Sequence, residues 1–191
     1  MGKYQHLLKI LRAIALEHTG VEHPDLATMA RELGRVVHQD ASALATRLAD
    51  LRRRRHGFER WQLAERNKPP VSVLVLAWPP NHATPVHDHS GRWGLEMSLV
   101  GALEVQTYDR ADSGELSLYG RHWLGPGDGF WFESDCAQAY RCRNLSRHDT
   151  ALSLHVYGGE LAGHVIGTQA EPAGRWMAPP RRNAIAGRLS G

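Results

Sequence analysis

Apolar positions along this chain change their spacing once, near residue 57. Over residues 4–55 they recur every three or four: Leu7, Leu8, Leu11, Ile14 and Ala15, and later Leu44, Leu48 and Leu51. That period lines one face of an α-helix. Pro24 and Asp25 open a middle helix that Gly34 closes, since Pro favours helix starts and Gly lies just past helix ends. Asp40 or Ser42 caps a third helix.

From about residue 58 to 157 the runs shorten and turn residues separate them. The expected strands are FERWQLA, VSVLVLAW, TPVHDH, WGLEMSLV, LEVQTYDR, ELSLYGRHW, GFWFE, AQAYRCRN and ALSLHVY. Turn signals divide them at Asn67-Lys68-Pro69-Pro70, Asp112-Ser113-Gly114 and Gly125-Pro126-Gly127-Asp128. Many short strands at this spacing predict a sandwich or barrel whose alternate residues face an interior. Beyond Gly158 the pattern lapses into a tail rich in Arg and Pro. The expected division is a helical segment packed on the barrel (1–56), the barrel (57–167) and the tail (168–191).

A length of 191 residues with 42% hydrophobic content suits one core and a smaller appendage. The net charge of +3 does not call for nucleic acid. Arg52, Arg53, Arg54 and Arg55 end a helix with no aromatic residue among them, so a solvated helix end is expected rather than a nucleic-acid partner. Lys9, Arg12 and Glu17 interrupt the apolar N-terminal stretch, so neither a membrane span nor a cleaved signal is expected. Met1-Gly2 opens a myristoylation-like motif, but His6 stands where Ser or Thr is required. Cys136 and Cys142 form no CxxC pair, which fits a reducing, cytoplasmic setting. No heptad pattern fixes an oligomeric state.

Candidate chemistry lies in two places. If residues 84–89 form a strand, His87 and His89 point to one side, and paired neutral imidazoles suit a first-row transition metal. Ser153, His155 and Tyr157 likewise share one strand face, as a relay or as mutually satisfied polar residues. A Ser-His hydrolase does not fit, for neighbours at i and i+2 stand ~7 Å apart along a strand and no acid orients the histidine.

Residues 81–101 resemble the first motif of the cupin family, with Asn81 and Gly101 at its glycine positions, His87 and His89 as its HxH, and Gly94 where it carries glutamate. The runs PVHDHSGRWG and Ala151-Leu-Ser153-Leu-His155-Val-Tyr157-Gly-Gly narrow the likeness to the cysteine dioxygenase family of thiol dioxygenases, over about 58–159. Gly94 takes the place of the cysteine that animal members cross-link to the relay tyrosine, so the chain resembles the bacterial type. The resemblance implies a mainly β fold, a cupin-type double-stranded β-barrel (jelly roll) with an N-terminal α-helical segment. It implies Fe(II), with His87 and His89 as ligands, and oxidation of a small carboxylated thiol, cysteine or 3-mercaptopropionate, to its sulfinate with dioxygen. Tyr157, backed by His155 and Ser153, takes the family's relay role. Arg60 is the counterpart of its carboxylate clamp, given one extra residue in the turn after Leu63; Arg66 and Arg92 are second choices.

One departure stands at the third ligand, where Tyr140 replaces histidine. Either Tyr140 ligates or lines the site beside a water, or His122 swings in, or the metal binds weakly. His148 and His164 are expected in surface turns, and His6, His18, His23 and His38 in the helical region. Trp78, Trp93 and Trp131 are candidates for a wall that excludes water. The second reading is a degenerate or repurposed metal-binding cupin that has lost or changed thiol oxidation.

Overall fold

The computed structural model describes residues 3–53, 57–89, 91–134, 138–159, 168–169, 176–177 and 185–189. Met1, Gly2, Arg54, Arg55, Cys136, His164 and most of the tail, on all of which an expectation rests, lie outside them.

Helix α1 spans Lys3–His18, α2 Leu26–Arg47 and α3 Ala49–Arg53. Asp25 caps α2 as expected, its carboxylate accepting the Thr28 N–H at 2.9 Å. The helix does not stop at Gly34. Its apolar stripe of Leu26, Met29, Leu33 and Val37 runs on to Leu44, and carrying a helix through one glycine costs only about 1 kcal/mol, which that burial outweighs. The expected second and third helices are therefore largely one. Gly34 serves a close approach instead: a Cβ there would lie 2.7 Å from the Gly127 carbonyl oxygen, so its absence lets α2 settle on the 125–128 turn. Asp40 does not cap a helix but pairs with Arg47 at 2.9 Å. At the end of α1, the Arg66 guanidinium donates to the Leu16 and Thr19 carbonyls, which closes orphan acceptors of the last turn. That engagement removes Arg66 as a substrate clamp.

The strands are β1 (Glu59–Asn67), β2 (Pro70–Trp78), β3 (Gly94–Val100), β4 (Leu103–Arg110), β5 (Leu116–Leu124), β6 (Gly129–Phe132), β7 (Ala139–Asn144) and β8 (Ala151–Gly158). Three short ones follow: β9 (Thr168–Gln169), β10 (Trp176–Met177) and β11 (Gly187–Arg188). A six-stranded sheet runs β11-β1-β2-β8-β3-β6, and a three-stranded sheet runs β5-β4-β7. The expected strand TPVHDH is not one. It lies in a loop that touches β7 through single bridges, Ala83 to Arg143 and His87 to Tyr140, because Pro85 has no N–H to extend a ladder.

Strands β2, β3 and β8 are buried on both faces, which explains their nearly unbroken apolar runs. Val71, Val73 and Val75 of β2, Leu95 and Met97 of β3, and Leu152 and Leu154 of β8 form one core with Leu7, Leu11, Leu33 and Val37 of the helices. The opposite faces enclose the second core, where Leu74, Leu76 and Trp78 meet Leu103 and Val105 of β4 and Tyr140 and Cys142 of β7. This interior between the two sheets holds the candidate site. On the edge strand, β11 pairs parallel with β1, Gly187 opposite Trp61. Among the described residues no helix is long and apolar enough to cross a membrane.

Candidate metal centre and relay

His87 and His89 project from the 82–93 loop against β7. The His87 and Tyr140 backbones exchange both hydrogen bonds, at 2.9 and 2.7 Å, so their side chains stand side by side on one face. His87 Nδ1 lies 2.9 Å from the Pro85 carbonyl. A carbonyl only accepts, so Nδ1 carries the hydrogen and Nε2 keeps its lone pair for a ligand. Burial lowers the His87 pKa from its ordinary value, which favours the neutral form a metal needs. The His89 ring stacks on Phe132 at 4.2 Å and sits 5.1 Å from the His87 ring, 5.8 Å from Tyr140 and 5.2 Å from Tyr157.

Two imidazoles sharing one ion through nitrogens at about 2.1 Å have centroids roughly 5 Å apart, so this pair fits a common transition ion. Among the described residues no three His, Cys, Asp or Glu side chains converge on one point. Tyr140, 4% exposed, belongs to the inner core, and its ring centroid stands 5.8 Å from that of His89. His122 does not join them. It lies on β5 with its ring against Phe130 and largely in solvent. A hollow of about 80 Å³, lined by Asp88, His89, Arg92, Arg110, Phe132 and Tyr140, opens beside the pair, with Asp88 and Arg110 3.5 Å apart at its rim. Arg92 lies at this rim.

The relay residues occupy the inner face of β8 opposite β3: Ser153 across from Ser98, His155 from Glu96 and Tyr157 from Gly94. Ser153 Oγ lies 2.7 Å from His155 Nε2, and His155 Nδ1 lies 2.6 Å from the Tyr157 hydroxyl. Behind them the Trp78 indole donates to Ser153 Oγ at 2.7 Å. Burial, and then the nearby Glu96 charge, raise the Tyr157 pKa well above its ordinary value, so the phenol stays neutral. Gly94 leaves no room for a side chain. A Cβ there would stand 2.3 Å from Phe132 and 2.7 Å from Tyr157.

Arg60 reaches the same interior. In β1 it pairs with inward-facing Leu76, whereas Trp61 pairs with outward-facing Val75. The register then slips between Gln62 and Ala64, so the irregularity lies at Leu63 within β1 rather than in the turn after it. The Arg60 guanidinium lies over the Phe58 ring at 4.6 Å, and no carboxylate pairs with it among the described residues. Burial draws its pKa down, while Tyr157 partly offsets this.

Sequence reasoning expected no acid at His155 and a strand spacing too wide for Ser153 to meet it, whereas the two side chains lean together to 2.7 Å and an acid on β3 stands beside the ring. Glu96 is 6% exposed, its Oε1 lying 3.2 Å from the Tyr157 hydroxyl and 3.4 Å from His155 Nδ1. Burial pushes its pKa up, but His155, and behind it His89 and His87, more than offset this when they carry a proton at low pH, and bring it to about 2. Its signal was visible: a lone acid in GLEMSLV, two residues beyond Gly94 and so on the same face. Of the expected tryptophan wall only Trp78 lines the interior. Trp93 belongs to the outer core, and Trp131 is 41% exposed.

A six-stranded sheet facing a three-stranded one, with side chains from both meeting inside, makes this a mainly β, cupin-type jelly roll carrying N-terminal helices. The sequence pattern of the family described as Cysteine dioxygenase type I matches residues 59–162, more than half of the chain, and the protein belongs to that family. Solved structures similar to it include an oxalate oxidase in complex with the substrate analogue glycolate, 18% identical over 56% of this chain and 53% of that one, with a TM-score of 0.44. Another is the TT1209 protein from Thermus thermophilus, 20% identical over 59% of this chain and 93% of that one, TM-score 0.45. A third is KdgF from Halomonas sp., 16% identical over 56% and 84%, TM-score 0.43. The chain spans about half the length of the oxalate oxidase it matches.

Proposed function

We propose that the protein is a thiol dioxygenase that converts a small carboxylated thiol, cysteine or 3-mercaptopropionate, to its sulfinate. The observation that carries this reading is that one barrel interior gathers the His87–His89 pair, the Tyr157 phenol and a guanidinium, Arg60, that no carboxylate of the described residues neutralises. The reaction balances without a further reductant, because R–SH and O₂ together make R–SO₂H.

His87, His89 and Tyr140 would hold iron(II), which when bound would lower the pKa of a thiol and activate dioxygen toward it. Arg60 grips the substrate carboxylate with two parallel N–H donors, which fixes where the sulfur lies. Tyr157 presents its oxygen beside the His89 ring, and His155 and Ser153 set its orientation. Trp78, Phe132 and Leu76 keep water from the reacting atoms. Cys142 is a buried thiol whose pKa burial raises, and with Cys136 it makes no CxxC pair, which favours a reducing compartment such as the cytoplasm.

Tyr140 supports a second reading, a metal-binding cupin whose thiol oxidation has been lost or changed. The test is oxygen uptake and sulfinate formation by anaerobically iron-loaded protein given cysteine, 3-mercaptopropionate or cysteamine. Turnover of a carboxylated thiol is expected, and Arg60→Ala should raise its KM about a hundredfold while leaving cysteamine unchanged. Silence with every thiol, reversed by Tyr140→His, would establish the second reading.

A further inference from the structure

We propose that Glu96 is the terminal member of the relay, a positioning residue whose carboxylate accepts the Tyr157 hydroxyl hydrogen and so fixes the direction of every hydrogen bond from Trp78 onward. Trp78 has the least choice of role. An indole N–H only donates, so Ser153 Oγ must accept from Trp78 at 2.7 Å. The serine's own hydrogen then goes to the other atom within reach, His155 Nε2, also at 2.7 Å. With Nε2 accepting, the imidazole carries its hydrogen on Nδ1, which faces the Tyr157 oxygen at 2.6 Å. That oxygen now accepts, and its hydrogen needs a different acceptor. Glu96 Oε1, 3.2 Å away, provides it.

Between the two neutral tautomers of His155 the direction is unique. Were His155 to donate from Nε2 instead, Ser153 would receive two hydrogens and its own would have no acceptor among the described residues. A buried hydroxyl left that way is disfavoured. The register ensures the contact, because Glu96 stands directly across from His155 on adjoining strands. A carboxylate 6% exposed in a strand buried along its whole length is costly unless it receives such hydrogen bonds. As a consequence, Tyr157 directs a lone pair rather than its hydrogen toward the pocket.

The consequence for turnover rests on the thiol dioxygenase reading; the hydrogen-bond direction does not. Resonance Raman difference spectra of the full chain, wild type minus Tyr157→Phe, isolate the Tyr157 ring doublet, which distinguishes a donating phenol from one that only accepts. The wild type should show a donor, and Glu96→Leu should lose that signature with an unchanged circular dichroism spectrum. Glu96→Gln, whose carbonyl oxygen still accepts, should keep it. Should the leucine variant not fold, Glu96→Asp decides, since the shorter side chain withdraws the acceptor and should lose the signature too. With a turned-over thiol, kcat should fall about tenfold in Glu96→Leu with KM unchanged, and Glu96→Gln should recover most of it. A donor signature that survives both Glu96→Leu and Glu96→Asp overturns the proposal. So does loss of metal from Glu96→Leu, which would make Glu96 a ligand. If no thiol is oxidised while the Raman shift appears, the dioxygenase reading fails and the relay assignment stands.

Discussion

Gly94 shows how a missing side chain can determine a site. The sequence places it where a cupin glutamate or a cross-linking cysteine would stand, and the packing explains why neither fits: Phe132 and Tyr157 already fill the space of its Cβ. Gly94→Ala should destabilise the protein by about 1–3 kcal/mol in denaturant unfolding, through overpacking against the buried Phe132 ring and the partly buried Tyr157 ring. An unchanged midpoint would mean that those rings move aside freely. Glu96 is the complementary case, a side chain present where the alternation places it inward. Its pKa lies near 2 in the folded chain against an ordinary 4.5, a depressed value. Its stabilisation is therefore complete above about pH 4.5 and disappears as pH falls toward 2, a contribution on the order of 3 kcal/mol. Unfolding free energies at about pH 6 and about pH 3 should drop more steeply for the wild type than for Glu96→Gln. Parallel losses in the two proteins would refute this.

At the scale of the element, the β1 bulge decides which residue enters the barrel. Side chains alternate along a strand, so a single inserted residue exchanges the faces on either side of it. Leu63 is that residue, and it lets Arg60 face Leu76 inside while Trp61 packs outward on Val75. Deleting Leu63 should raise KM for a carboxylated thiol as much as Arg60→Ala does, whereas Leu63→Ala should leave it near wild type. A deletion variant with unchanged KM would show that Arg60 keeps its place without the bulge. The 82–93 loop achieves its placement without regular structure. His87 and His89 converge although they do not lie on a strand, and what holds them is the paired bridge from His87 to Tyr140 together with the Pro85 carbonyl.

In the molecule as a whole, the helices and the barrel share one core. Leu33 and Val37 of α2 are fully buried against Met97, and Gly34 lets α2 reach the 125–128 turn. Leu33→Ala should cost about 2–5 kcal/mol, and helix and aromatic signals should still melt together. Helices that melt first while the barrel signal persists would show two separate units. The sequence alone was sufficient for the change of period near residue 57 and the inward face of Ser153, His155 and Tyr157, because period and spacing are local properties of a chain, whereas it brought His87 and His89 together through a strand that does not form. It could not join the two helices across Gly34, nor tell that Glu96 meets the relay or that Trp131 faces solvent. Those depend on which surfaces approach one another, and a contact between residues 61 positions apart, such as Glu96 and Tyr157, arises only once β3 and β8 pair in register.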